Sequence, residues 1–208
     1  MKRFFSSIKT LVNRLKRYQL TLVIGGLATS MPFTSLASMG GGGAGWQFNP
    51  ALMYLSESTT SSGSTVTRNR FLFDLGVGYK LNSPIYIGAL YSYDNLTTAS
   101  SSTTQDTYAS YGPSFGLQSD NFFMTFTYFV ASQYDITTSS GTASYTSGNG
   151  YQFSFGYLFM AGPQFAVGPE INYRSLHYTN YKSASGAIAS ADYTYTTLLP
   201  YVALRFYF

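Results

Sequence analysis

From Trp46 onward, large apolar side chains recur at every second position in one segment after another. Between Arg68 and Leu81, the residues Phe71, Phe73, Leu75, Val77, Tyr79 and Leu81 share one face, opposite Arg70, Asp74, Gly76, Gly78 and Lys80. Between Tyr151 and Met160, the side chains of Tyr151, Phe153, Phe155, Tyr157 and Phe159 oppose Gln152, Ser154 and Gly156. This two-residue period is that of a β-strand. It predicts eight strands, spanning Trp46 to Ser56, Arg68 to Leu81, Ile85 to Asp94, Thr107 to Gln118, Phe122 to Asp135, Tyr151 to Met160, Gln164 to Tyr178 and Tyr193 to Phe208. Each is close to or longer than the ~9–11 residues that a tilted strand needs to cross a bilayer.

The connections indicate how these strands are arranged. Tight turns are predicted at "NSP" (82–84), "SDN" (119–121) and "AGP" (161–163), and they alternate with Ser/Thr-rich stretches near 58–67, 95–105, 136–149 and 179–191. Runs such as "TTASSSTT" (97–104) bury no core and are expected as solvated loops. Strict short/long alternation sends every long loop out of one end of the sheet, the pattern of an up-and-down transmembrane β-barrel. "GYKLNSPIYIG" and "GYLFMAGPQFAVG" share a Gly-Tyr strand end, a Pro turn and a following Gly, a repeated hairpin. The expected fold is all-β: an eight-stranded antiparallel up-and-down transmembrane barrel.

Lipid offers no hydrogen bonds to an exposed backbone, so a sheet in a bilayer must close on itself with its apolar face outward. Eight strands enclose a space that side chains fill. The polar faces then place Arg70, Asp74, Lys80, Glu170, Arg174 and Arg205 inside, both signs of charge in one narrow interior. An unpaired buried charge is strongly unfavourable, so a plug of ion pairs is expected rather than a continuous channel, with a narrow pore as the alternative. Glu170 and Arg174 share a face about 13 Å apart by strand rise, too far to act as a catalytic pair.

Composition supports this reading. Aromatic residues make up 18% of the chain and charged residues 10%, against about 25% charged in soluble domains. There is no cysteine, hence no disulfide or thiolate metal site, and neither cofactor nor metal is expected. The net charge of +4 is concentrated at the start: six of the twelve basic residues (Lys2, Arg3, Lys9, Arg14, Lys16, Arg17) precede an apolar run from Leu20 to about Met31 and the small residues Ser35 and Ala37. That is the layout of a secretory signal spanning 1–37 with cleavage after Ala37, followed by a Gly-rich spacer over 38–45 and the barrel over 46–208. The remainder carries 12 − 6 = 6 basic and 8 acidic residues, net −2, which excludes a basic nucleic-acid surface. "GGGG" (40–43) precedes no Lys and is not a phosphate loop, and the "NLT" triplet (95–97) is frequent by chance.

The last stretch, "PYVALRFYF", alternates to its terminus, with Val202, Leu204, Phe206 and Phe208 on one face and Tyr201, Ala203, Arg205 and Tyr207 on the other. With the strand pattern it resembles the small eight-stranded outer-membrane proteins of Gram-negative bacteria, the OmpA transmembrane domain and OmpX type. The resemblance covers nearly all of the chain after the signal. It implies that Leu204, Phe206 and Phe208 form a C-terminal signal read by the barrel assembly machinery. It also implies a location in the outer membrane after export by the general secretory route, and contact with outer-membrane lipid and lipopolysaccharide. No peptidoglycan-binding domain follows the last strand, so a cell-wall tether is not expected. The expected role is structural or surface-interacting, with four Ser/Thr-rich loops displayed toward an unidentified ligand.

One motif points to chemistry. His177 is the single histidine and opens "HYTN" (177–180). The string resembles the His-x-Ser-Asn of outer-membrane lipid A deacylases, in which an acidic partner lies further along, here Asp192. The nucleophile position holds Thr179, a rare nucleophile, so an interfacial histidine is the preferred reading and no enzyme is expected.

Overall fold

The computed structural model describes residues 44–61, 64–119 and 121–208, so the expected signal (1–37) and most of the expected spacer lie outside the described residues. The rest is an antiparallel up-and-down sheet of nine strands: β1 (Gly45–Ser61), β2 (Ser64–Lys80), β3 (Ile85–Ala99), β4 (Thr103–Gln118), β5 (Phe122–Thr138), β6 (Gly141–Tyr157), β7 (Phe159–Gly162), β8 (Phe165–Lys182) and β9 (Ile188–Tyr207). Each of β1 to β5 pairs with its successor, β6 pairs with β8, β8 with β9, and β9 returns to β1, so the pairings close into a ring.

The expected sixth segment is split at Leu158. The Leu158 N–H donates to the Asn121 carbonyl on the β5 side, so the backbone groups of Tyr157 turn toward β8. In the register set by Gly156–Glu170 and Phe159–Val167, Tyr157 faces Pro169, which has no N–H to give. β7 resumes the same line one residue later, where a turn at 161–163 was expected.

The strands are also longer than expected at the Ser/Thr-rich end. The stretches expected as loops near 58–67, 95–105, 136–149 and 179–191 are largely strand: β1 pairs with β2 to Ser61–Ser64, β3 with β4 to Ala99–Thr103, and β5 with β6 to Thr138–Gly141. Thr is β-branched and suits a pleated surface without a core beneath it. Cross-strand hydroxyl pairs join Thr60 to Thr65 at 2.9 Å and Thr137 to Thr142 at 3.0 Å.

Burial alternates along the strands and defines the two faces. Along β2, Leu72, Asp74, Gly76, Gly78 and Lys80 are buried, while Phe71, Val77 and Tyr79 are exposed. Most exposed apolar side chains, including Ile87, Phe115, Phe153, Phe155, Ile171 and Leu198, lie on the opposite face, pointing outward around the ring. The inward face is mixed. One buried apolar cluster holds Met53, Leu72, Phe123, Leu158, Leu199 and Tyr201. A second is aromatic, holding Tyr108, Phe129, Tyr134, Leu176 and Tyr178. Gly78 and Gly88 leave room for the Tyr86 ring, whose hydroxyl would lie 2.6 and 2.5 Å from a Cβ at those positions.

Candidate functional site

The ring encloses a network of buried charges. Asp74 on β2 is 2% exposed and Arg174 on β8 is 1% exposed, with Nη2 3.0 Å from Oδ1. The Asp74 carboxylate also accepts from Ser92 Oγ at 2.5 Å, Gln152 Nε2 at 2.8 Å and Asn172 Nδ2 at 3.2 Å. Arg174 in turn donates from Nε to Gln152 Oε1 at 2.8 Å and from Nη2 to the Tyr201 hydroxyl at 3.1 Å. Five strands thus meet on one carboxylate–guanidinium pair, with the remaining donors and acceptors largely matched.

A second centre joins Arg70 to Asp94 in bidentate fashion, Nε to Oδ1 at 2.9 Å and Nη2 to Oδ2 at 2.6 Å. Tyr195 bridges it, donating to Asp94 at 3.2 Å and accepting from Arg70. Asp94 was expected only as a strand end. It shares the inward parity of Ser92, but its pairing with Arg70 depends on the β2–β3 register. Arg205 stands 4.0 Å from Glu170 and stacks on the Phe123 ring at 4.2 Å. Asn49, Glu170 and Arg205 line a cavity of about 20 Å³, room for about one water molecule. Lys80 is buried at the end of β2. All six charged residues expected inside therefore lie on the inward face, and Asp94 joins them.

Toward the Ser/Thr-rich end the interior is filled by tyrosines. Tyr134 stacks on Tyr108 at 4.2 Å and on Tyr145 at 5.4 Å, and Tyr195 stacks on the other side of the group, 4.2 Å from Tyr108. Tyr134 donates to Asp106 at 2.9 Å. Sequence reading missed this stack, although Tyr108 and Tyr134 share the parity of the inward serines Ser110 and Ser132.

His177 points outward, 43% exposed, and its Nδ1 lies 3.6 Å from Asp192 Oδ1. The same nitrogen is 3.2 Å from Thr194 Oγ1. The Thr179 hydroxyl is given to the Ser147 carbonyl at 3.4 Å. Histidine and acid are thus together, and Thr179, at the motif's nucleophile position, is bonded elsewhere. Among the described residues no group of three or more His, Asp or Glu side chains is placed to hold a metal ion.

Leu204 and Phe206 are half-buried on the outward face, and Phe208 is exposed. The Phe206 ring lies 4.9 Å from Phe165 and 6.1 Å from Phe48, so it touches both neighbouring strands.

No family model matches the chain, and no curated protein matches it. Among solved structures it is similar to the translocator domain of the autotransporter NalP from Neisseria meningitidis, at 16% identity and a TM-score of 0.39, over 96% of this chain and 70% of that one.

Proposed function

We propose that the chain is a β-barrel of the Gram-negative outer membrane, with eight crossings in which β6 and β7 form one, and that its role is structural or surface-interacting. The observation that carries this reading is the ring itself. Its outward face is a belt of large apolar side chains, and its inward face holds ion pairs such as Asp74–Arg174. In water that belt would be a large exposed apolar surface, whereas in a bilayer it is solvated by lipid and the closed pairing satisfies the backbone. The Asp74 and Asp94 centres and the tyrosine stack favour a plugged interior over a pore. The Ser/Thr-rich hairpins would then stand above the membrane, available to a ligand, and Leu204, Phe206 and Phe208 would serve as the assembly signal. Purified protein should run on SDS gels at a different mobility before and after boiling and give a β-sheet circular dichroism spectrum in detergent. Identical mobility with no β signature would sink the proposal.

The contact between His177 and Asp192 favours a second reading, a hydrolase acting on outer-leaflet lipid. It lacks a bond from Thr179 to the histidine, and Asp192 is 91% exposed, so the pair is screened by water. We infer no such activity. Mass spectra of lipid A should be the same with the wild-type protein, with His177→Ala and without either. Loss of an acyl chain that depends on His177 would establish the enzyme.

A further inference from the structure

One seam of the ring is far shorter than the others. β1 and β9 pair only from Gln47–Tyr207 to Leu52–Val202, with the Phe208 N–H donating to the Trp46 carbonyl at 2.9 Å below them. Yet β1 stays paired with β2 up to Ser61, and β9 stays paired with β8 back to Ile188. The two strands remain in the sheet and part from each other.

Two prolines weaken this seam, and the second stands where the strands part. Backbone groups of successive strand residues point to alternate neighbours. Because Trp46 and Phe208 bond each other, Phe48, Pro50, Leu52 and Tyr54 of β1 turn toward the seam, as do Phe206, Leu204, Val202 and Pro200 of β9. Proline has no N–H. Pro50 removes a donor inside the paired stretch, where pairing skips from Phe48–Phe206 to Ala51–Ala203. Pro200 removes the donor that would face Tyr54, where pairing ends.

The opening lies at the upper edge of the outward apolar belt. Tyr54 is level with exposed Phe71, and Leu198, itself 67% exposed, is level with Tyr173. The nearest inward residues of the two strands are apolar as well: Met53 and Leu199 are buried, and Leu55, paired with inward Arg70 of β2, packs against their cluster. Continued in the same register, Leu55 would face Leu199. Above them, on the inner side of the β1–β2 hairpin, a cavity of about 160 Å³ is lined by Glu57, Thr59, Val66 and Arg68.

The geometry points to a lateral opening between β1 and β9 that admits an acyl chain of an outer-leaflet lipid, its methylenes against Met53, Leu55 and Leu199. The inference rests on the membrane reading above. It favours a lipid chain because the opening is continuous with the lipid-facing surface and its inner edge is lined by Met53, Leu55 and Leu199. An added peptide strand would meet Pro200 in place of a donor at the same level.

The experiment uses the protein in phosphatidylcholine vesicles containing a phosphatidylcholine with a diazirine near the end of one acyl chain, with labelled residues located by mass spectrometry after illumination. The wild type should be labelled at inward Met53 as well as at outward Phe71 and Tyr173. The chain has no cysteine of its own, so Leu55→Cys/Leu199→Cys introduces a single possible bridge. Oxidation should abolish labelling at Met53 and leave Phe71 and Tyr173 labelled, and reduction should restore it. Pro200→Val, which returns the missing donor, should lower Met53 labelling without any bridge. Labelling confined to outward residues, or Met53 labelling unchanged by both bridge and Pro200→Val, would overturn the inference. A covalent dimer in place of the internal bridge would overturn it in favour of a second copy at the seam. No label at Phe71 and Tyr173 would overturn the membrane reading itself.

Discussion

Removing Asp74 should damage the protein more than removing its partner Arg174. In Asp74→Leu the Arg174 guanidinium stays buried with only the neutral acceptors Gln152 and Tyr201. Stranding one member of a buried pair costs about 3–5 kcal/mol. In Arg174→Met the carboxylate keeps four neutral donors, from Ser92, Gln152, Asn172 and the Tyr201 hydroxyl, at 2.5 to 3.4 Å. The loss is then nearer to one charge-assisted hydrogen bond, about 1.5–3 kcal/mol. The double variant should be no worse than Asp74→Leu, because no stranded charge remains. Urea unfolding from lipid vesicles, followed by circular dichroism, reads these differences. With a urea slope of about 1–3 kcal/mol/M, the Asp74→Leu midpoint should fall by more than about 1 M. Equal midpoints for the two single variants, the reverse order, or losses that add within about 0.5 kcal/mol would refute the argument, since additivity means the groups do not interact.

Two further outcomes follow from the same geometry. Phe208→Ser should refold from urea into vesicles, because the backbone bond from residue 208 to Trp46 does not need the ring and one Phe is worth about 1.5–3 kcal/mol, yet it should reach the outer membrane poorly in cells. Normal outer-membrane levels would show that the terminal Phe is only the end of a strand. In planar bilayers the purified wild type should give little conductance, if the ion pairs and stacked tyrosines of the inward face act as the proposed plug. Reproducible large channels would replace the plug with a pore.

The faces of the strands were legible in the sequence because parity alone assigns them: Phe71 and Val77 outward, Asp74 and Lys80 inward. Pairings across strands were not legible. That Arg70 meets Asp94, and Arg174 meets Asp74, depends on registers set by turns and hairpin lengths, which alternation does not encode. The Ser/Thr runs were read as loops because they have nothing to bury. They form strands whose backbones stay paired to the hairpin tips, with hydroxyl bonds such as Thr60–Thr65 and Thr137–Thr142 across them. The break at Leu158 and the open seam have a common cause, a proline whose missing N–H faces a neighbouring strand. Pro169, Pro50 and Pro200 were visible in the sequence, but the direction in which each nitrogen points was not.

The central claim is a closed sheet with its apolar face in lipid and its charged face enclosed. Single cysteines, placed one at a time from position 71 to 80 of β2, spin-labelled and reconstituted in vesicles, test it most directly. Collision with oxygen, which concentrates in lipid, should be high at 71, 73, 75, 77 and 79 and low at 72, 74, 76, 78 and 80, while a water-soluble nickel reagent should reach neither set near the middle of the strand. Ready access of the nickel reagent to positions 73, 75 and 77, or an accessibility profile without a two-residue period, would contradict the account.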